Sequence, residues 1–164
     1  MIVLKEFTNS DFNTFISWCT SEEMITQFAG PIFTYPVTKN QLDNYLNDKS
    51  KKPFKVVLTK TQETIGHCEL NFEEKETPKL SRVLIASEKH RGKNIGAKII
   101  SQLTTLAFKN KEITSLQLNV FSWNISAIKC YEKVGFKINP KRTSEILVNN
   151  EKWIKLNMIL DRPL

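Results

Sequence analysis

Two stretches of this chain combine residue types and spacing suited to chemistry. The first is Arg91-Gly92-Lys93-Asn94-Ile95-Gly96-Ala97, which follows a buried apolar run ending at Ala86 and opens an amphipathic segment. A helix N-terminus presents unpaired backbone N–H groups and the positive end of the helix dipole. Gly92 and Gly96 leave room for a phosphate to approach such amides, and Arg91 and Lys93 add positive charge. The chain has only 5 glycines, so two in one short loop carry weight. The spacing is neither that of a P-loop nor that of a dinucleotide fingerprint. Taken alone, the loop also fits an ordinary basic turn at a helix start.

The second stretch runs from Asn124 to Tyr131. If Asn124 opens a helix, then Asn124, Ala127, Ile128 and Tyr131 lie along one face. Asn124 offers an amide for hydrogen bonds, Ala127 leaves space and Tyr131 supplies a phenol. Taken alone, this stretch fits a capped helix with Tyr131 packed in a core at least as well.

The elements that would position these groups can be read from periodicity. Ile2–Phe7 alternates as a first strand, and Thr8 with Asp11 marks a helix start. Phe12, Phe15, Ile16 and Cys19 follow at helical spacing, and Gln27–Pro36 reads as an ordered loop after a short helix. Thr38 and Gln41 form a capping-box pattern that opens a helix to about Asn47. Phe54–Thr59 and Thr64–Phe72 read as strands around a polar turn, and Leu80–Ala86 as a third. A helix is expected from about Asn94 to Asn110, with Ile95, Ile99, Leu103 and Leu106 on one stripe. Leu116–Phe121 is a strand, and the helix from Asn124 ends near Gly135. A strand begins at Phe136, and Asn149–Asn150 marks a late hairpin between Glu145–Val148 and Lys152–Leu160. This order predicts an α/β (α+β) fold over residues 1–164 as a single domain. Its sheet is mixed and mostly antiparallel, with six to seven strands and about four flanking helices.

Composition narrows the function classes. The chain has 164 residues, 40% of them hydrophobic, enough for a sizeable core. No apolar run is long enough to span a membrane, and the first residues do not read as a secretory signal, so a cytoplasmic protein is expected. Cys19, Cys68 and Cys130 are far apart and read as unpaired thiols. With only His67 and His90 as histidines, no metal site is expected. The net charge of +7 suits a solubilising surface or a polyanionic partner. The lysines are scattered without interleaved aromatics, which argues against nucleic acid.

The two stretches, in this order and about 30 residues apart, resemble the GNAT superfamily of acetyl-coenzyme-A-dependent N-acetyltransferases. The first is similar to that family's Q/R-x-x-G-x-G/A signature, here Arg91-x-x-Asn94-x-Gly96. The second is similar to a later motif of Asn, Ala and Tyr that closes in Gly-Phe, here Gly135-Phe136. Leu4-Lys5-Glu6-Phe7 resembles the opening of the branch that acetylates protein N-termini or small amines. Asn94 stands where the family usually has Gly, and Asn is the non-Gly residue most tolerant of unusual backbone angles.

The resemblance implies a site. The strand before the loop would splay from its neighbour, and Leu84, Ile85 and Ala86 would pair with the pantetheine arm of acetyl-CoA. Arg91, Gly92, Lys93, Asn94, Ile95, Gly96 and Ala97 would hold the pyrophosphate, and Asn124 would contact the arm. A neutral amine would attack the thioester in a ternary complex, with Tyr131 as general acid. Glu69, on one strand face with His67, is the candidate base, although a solvent-facing carboxylate is its plainer reading. His67, Glu88 and His90 are weaker candidates. Phe28, Phe33 and Tyr35 are candidates for the acceptor site and equally for the core. The acceptor would be a small-molecule amine or a protein or peptide N-terminal amine, and a polycation suits a basic protein poorly. The competing reading is a non-catalytic acyl-CoA or RNA-binding module. Either a monomer or a homodimer is compatible with the chain.

Overall fold

The structure, a computed structural model, describes residues 1–163. The chain runs β1 (Ile2–Glu6), α1 (Phe12–Trp18), α2 (Glu22–Ala29), α3 (Lys39–Asn47), β2 (Lys51–Leu58), β3 (Thr64–Asn71) and β4 (Lys79–Ile85). It continues as α4 (Ile95–Ala107), β5 (Ser115–Phe121), α5 (Ile125–Val134), β6 (Lys137–Val148) and β7 (Glu151–Asp161). The strands form one seven-stranded sheet in the order β1-β2-β3-β4-β5-β7-β6. Every neighbouring pair is antiparallel except β4 and β5. The mixed, mostly antiparallel sheet is the one the sequence predicts.

Strand alternation sends β3 side chains to opposite faces. Cys68 and Leu70 enter an apolar cluster with Ile99, Ile100 and Leu103 of α4. His67 and Glu69 point the other way, toward Phe7, Phe15 and Tyr45. A second cluster on that side joins Phe12 and Phe15 of α1, Ile25 of α2 and Leu42 of α3. The stripe on α4 is buried at Ile95, Ile99 and Leu103, with Leu106 half-buried.

Among the described residues five α-helices flank the sheet, where about four are expected. The largest difference is at α2, whose last residues, Gln27–Ala29, fall in the segment read as a loop. Its start is fixed by the Ser21 hydroxyl, which accepts from the Met24 N–H at 3.2 Å, and by Glu22 and Glu23 at the positive end of the helix dipole. Gly30, at φ +63°, ends it, and a 3-10 turn follows at Gly30–Ile32. Serine before two acids, with glycine nine residues after that serine, is the signal that bounds α2.

The late hairpin turns at Asn149 and Asn150, both left-handed at φ +49° and +64°, the geometry of a two-residue type I′ turn. β6 is longer than its expected pieces. Its pairing with β7 is interrupted between Asn139 and Ser144, where Pro140 lacks an N–H to donate. No helix among the described residues is long and apolar enough to cross a membrane.

Candidate active site

β4 and β5 pair only at Lys79–Gln117 and Leu80–Leu118, then part. The divergence begins at a bulge. His67 of β3 faces Leu84 and Glu69 faces Ser81, so Cys68 alone opposes both Arg82 and Val83. Arg82 adopts φ +50°, a left-handed conformation uncommon outside Gly and Asn. A bulge bends its strand and sharpens the local twist, which turns β4 away from β5. The opening is a cleft of about 780 Å³ whose walls include Ser81, Arg82, Val83, Leu84 and Ile85 on one side and Asn119, Val120 and Phe121 on the other.

A buried polar group supports the bulge from the α1–α3 face. Arg82 Nη1 donates to Glu69 Oε1 at 2.5 Å, and the Tyr45 hydroxyl donates to Glu69 Oε2. His67 is fully buried, and burial pushes its imidazole down to about 4. The ring is therefore neutral at pH 7, with Nδ1 3.0 Å from the Arg82 carbonyl, so the tautomer protonated at Nδ1 can donate there. This bond holds the carbonyl of the left-handed residue. Glu69 has no exposed surface, and burial raises its carboxyl above the usual range against the pull of Arg82.

At the far end of β4 the loop turns into α4. Arg91 Nε and Nη2 both donate to the Ile85 carbonyl at 3.3 Å. Gly92 sits at φ +71° with open space where a Cβ would stand. Asn94 takes the left-handed conformation, φ +61°, in the position before α4, so Asn at a usual glycine site is accommodated. No side chain caps the first turn of α4. The Asn94 Oδ1 instead accepts from Lys133 Nζ of α5 at 3.3 Å. The room at Gly96 is taken up by α5, since a Cβ there would lie 3.1 Å from Cys130 Sγ.

Asn124 caps α5, its Oδ1 accepting from the Ala127 N–H at 3.3 Å, and it also lines the cleft. The capping reading holds, and the same residue borders the cleft. Tyr131 lines the cleft one face along, packed against the main core cluster. Burial, with a smaller contribution from Cys130, pushes its phenol well above the usual tyrosine range. It holds its proton throughout the neutral range.

The acetyltransferase (GNAT) domain model matches residues 2–137. The chain belongs to this family. Aminoglycoside N(6')-acetyltransferase type 1 of Klebsiella pneumoniae is 26% identical over 151 residues, covering 83% of this chain and 74% of that protein. The aminoglycoside acetyltransferase AAC(6')-Ib, solved with coenzyme A, aligns at a TM-score of 0.75 and 23% identity over 99% of this chain and 95% of that one. The spermidine N-acetyltransferase of Vibrio cholerae, solved with CoA and spermine, aligns at a TM-score of 0.79 and 18% identity over 98% and 95%. Both likenesses place this chain in the GNAT fold.

Within that fold, the sequence-derived site residues divide cleanly. Leu84, Ile85, Arg91, Gly92, Asn94, Ile95, Gly96, Ala97, Asn124 and Tyr131 all border one cleft. Ala86 and Lys93 do not border it. The Ala86 N–H is bound to the Ile65 carbonyl at 2.9 Å, and Lys93 is exposed. Glu69 lies beneath the wall, behind Arg82, and is not solvent-facing. Of the aromatic trio, Phe28 lines the cleft, Phe33 is buried in the α1–α3 cluster and Tyr35 is half exposed. Arg82, Lys79, Asn119 and Lys155 also line the cleft and carry no sequence signal of it. An arginine within a strand does not announce a bulge, and the approach of β7 to β5 is a long-range pairing.

Proposed function

We propose that this chain transfers an acetyl group from acetyl-CoA to the primary amine of a small molecule, with Tyr131 as general acid. The observation that carries the reading is one cleft joining the uncapped start of α4, the parted strands β4 and β5, and a protonated phenol. The residues present fit the co-substrate. Arg91, Lys129 and Lys133 border the same cleft as the open turn at Gly92, with Lys133 reaching Asn94 beside it, a suitable seat for polyphosphate. Beyond Leu80 the β5 side of β4 has no strand partner, which leaves backbone groups for an amide-bearing arm. Relatives named for acetylating aminoglycosides and spermidine support a small-molecule amine over a protein.

Acetyl-CoA supplies an activated thioester. As the amine nitrogen bonds to the carbonyl carbon and the carbon–sulfur bond breaks, Tyr131 delivers its proton to the departing sulfur. Asn124 offers its free Nδ2 to the arm, since its Oδ1 is occupied by the α5 cap. Glu69 is engaged by Arg82 and Tyr45, so we assign it to positioning the bulge. The amine then enters in its neutral form, and the one proton its nitrogen sheds on acylation passes through water and restores the Tyr131 phenol.

The test is a split between binding and turnover. Tyr131→Phe lowers kcat by roughly 10²-fold or more, the scale of general-acid loss, while calorimetric affinity for acetyl-CoA stays near that of the parent. Full turnover in Tyr131→Phe removes the role.

A further inference from the structure

The cleft has two chemically different mouths. Leu80, Leu118, Val120, Leu156 and Met158 pack into the α4 cluster, so the alternating Lys79, Ser81, Asn119 and Lys155 face the other side of the sheet. That side carries α2, whose Met24 and Thr26–Ala29, with Gly30 and Pro31 of the turn after it, complete this mouth. The phosphate-suited loop lies at the α4 mouth. The α2 mouth is therefore the entrance left to the amine, on the acetyl-transfer reading given above.

Its charge balance is unusual for an amine site. Lys79, Lys155 and Arg82 line it, with Glu73 as the one acidic residue. Glu73 is held by Lys51 Nζ at 3.3 Å, and the adjacent Glu74 by Arg142 Nη1 at 3.0 Å. Lys79 and Lys155 have no ion-pair partner among the described residues. Arg82 is nine-tenths buried as a side chain, and its Nε has no hydrogen-bond partner among those residues. The Arg82 charge is met by Glu69, and Glu73 is already engaged by Lys51, so the two ammonium groups without an ion-pair partner give this mouth a positive balance that repels a polycation and attracts an anion.

We propose that the α2 mouth selects amines that also carry a carboxylate, received by Lys155 of β7 with Lys79 of β4 adding to the positive field, and disfavours polycationic amines. The amine-bearing molecule then presents its nitrogen toward Tyr131 and its carboxylate toward β7. On this proposal the chain takes a different acceptor from the relatives named for aminoglycosides and spermidine, within the same reaction.

The experiment compares acceptors matched in amine chemistry. CoA release is measured with glycylglycine, glycylglycinamide, spermidine and kanamycin, alongside calorimetric binding of acetyl-CoA. The expected result is a kcat/KM for glycylglycine at least about tenfold above that of its amide, with both polycations below the amide. Lys155→Gln and Lys79→Gln shrink the preference for the carboxylate, and Lys155→Glu reverses it in favour of the polycations. Added salt weakens the preference in the parent protein. A parent protein that prefers spermidine or kanamycin overturns the inference, as does a ranking unmoved by Lys155→Glu. Binding of acetyl-CoA without acetylation of the carboxylate acceptor also overturns it and leaves the co-substrate reading standing. Absence of both binding and turnover overturns the two together.

Discussion

Glu69→Gln is the most informative single change, because it separates positioning from proton transfer. The carboxylate has no exposed surface and accepts from Arg82 Nη1 and from the Tyr45 hydroxyl. Gln keeps the shape and can still accept from Tyr45, but it leaves the guanidinium without its counter-charge. Removing one partner of a buried pair costs about 3–5 kcal/mol. Arg82 borders the cleft and can regain some hydration, so the lower end, about 3 kcal/mol, applies. For a chain of this length that corresponds to a drop in Tm of about 6–12 °C. Thermal unfolding followed by circular dichroism measures it. Glu69→Gln/Arg82→Met recovers part of the loss, because apolar groups replacing a whole pair are close to neutral. The kcat/KM of Glu69→Gln still rises with pH through the pKa of the acceptor's own amine, as in the parent. An unchanged Tm, together with a rate that no longer responds to acceptor pKa, refutes the positioning role and returns Glu69 to the chemistry.

Two further outcomes follow from the same wall of the cleft. His67 is held near 4 when folded and titrates near 6.5 when unfolded, so the unfolded chain binds more protons between these values. Stability therefore falls as pH drops from about 6.5 to 4, by about 3 kcal/mol from this group; urea titrations in His67→Gln show a flatter dependence in that window, and an identical slope refutes the assignment. Gly66→Ala puts a methyl group into the Leu84 carbonyl oxygen, a backbone neighbour that cannot rotate aside. It costs at least about 1–3 kcal/mol and weakens acetyl-CoA binding by moving Leu84; parent-like urea midpoint and affinity together contradict the close approach of β3 to β4.

Much of this molecule was legible because its signals are local. Asn149-Asn150 specifies its own turn, Thr38 with Gln41 specifies the start of α3, and the stripe from Ile95 to Leu103 specifies the buried face of α4. The loop and the Asn124–Tyr131 face were found for the same reason, each lying within a few residues of chain. The bulge at Arg82 was not, because it depends on how β3 and β4 pair across more than a dozen residues and on His67 and Glu69 behind it. Glu69 illustrates the limit. Alternation correctly placed it with His67, but only tertiary packing shows that α3 covers this face and that Arg82 and Tyr45 occupy the carboxylate. The mouth formed by Lys79, Asn119 and Lys155 was hidden likewise, since it joins three strands that are distant in sequence.

The measurement that tests the central claim most directly is mass analysis of an amine after incubation with the protein and acetyl-CoA. One acetyl group appears on the nitrogen, free CoA forms in equal amount, and both fall by roughly 10²-fold or more with Tyr131→Phe. Acetyl-CoA that binds tightly but is never consumed, across peptide, amino-acid and polyamine acceptors, would contradict the claim.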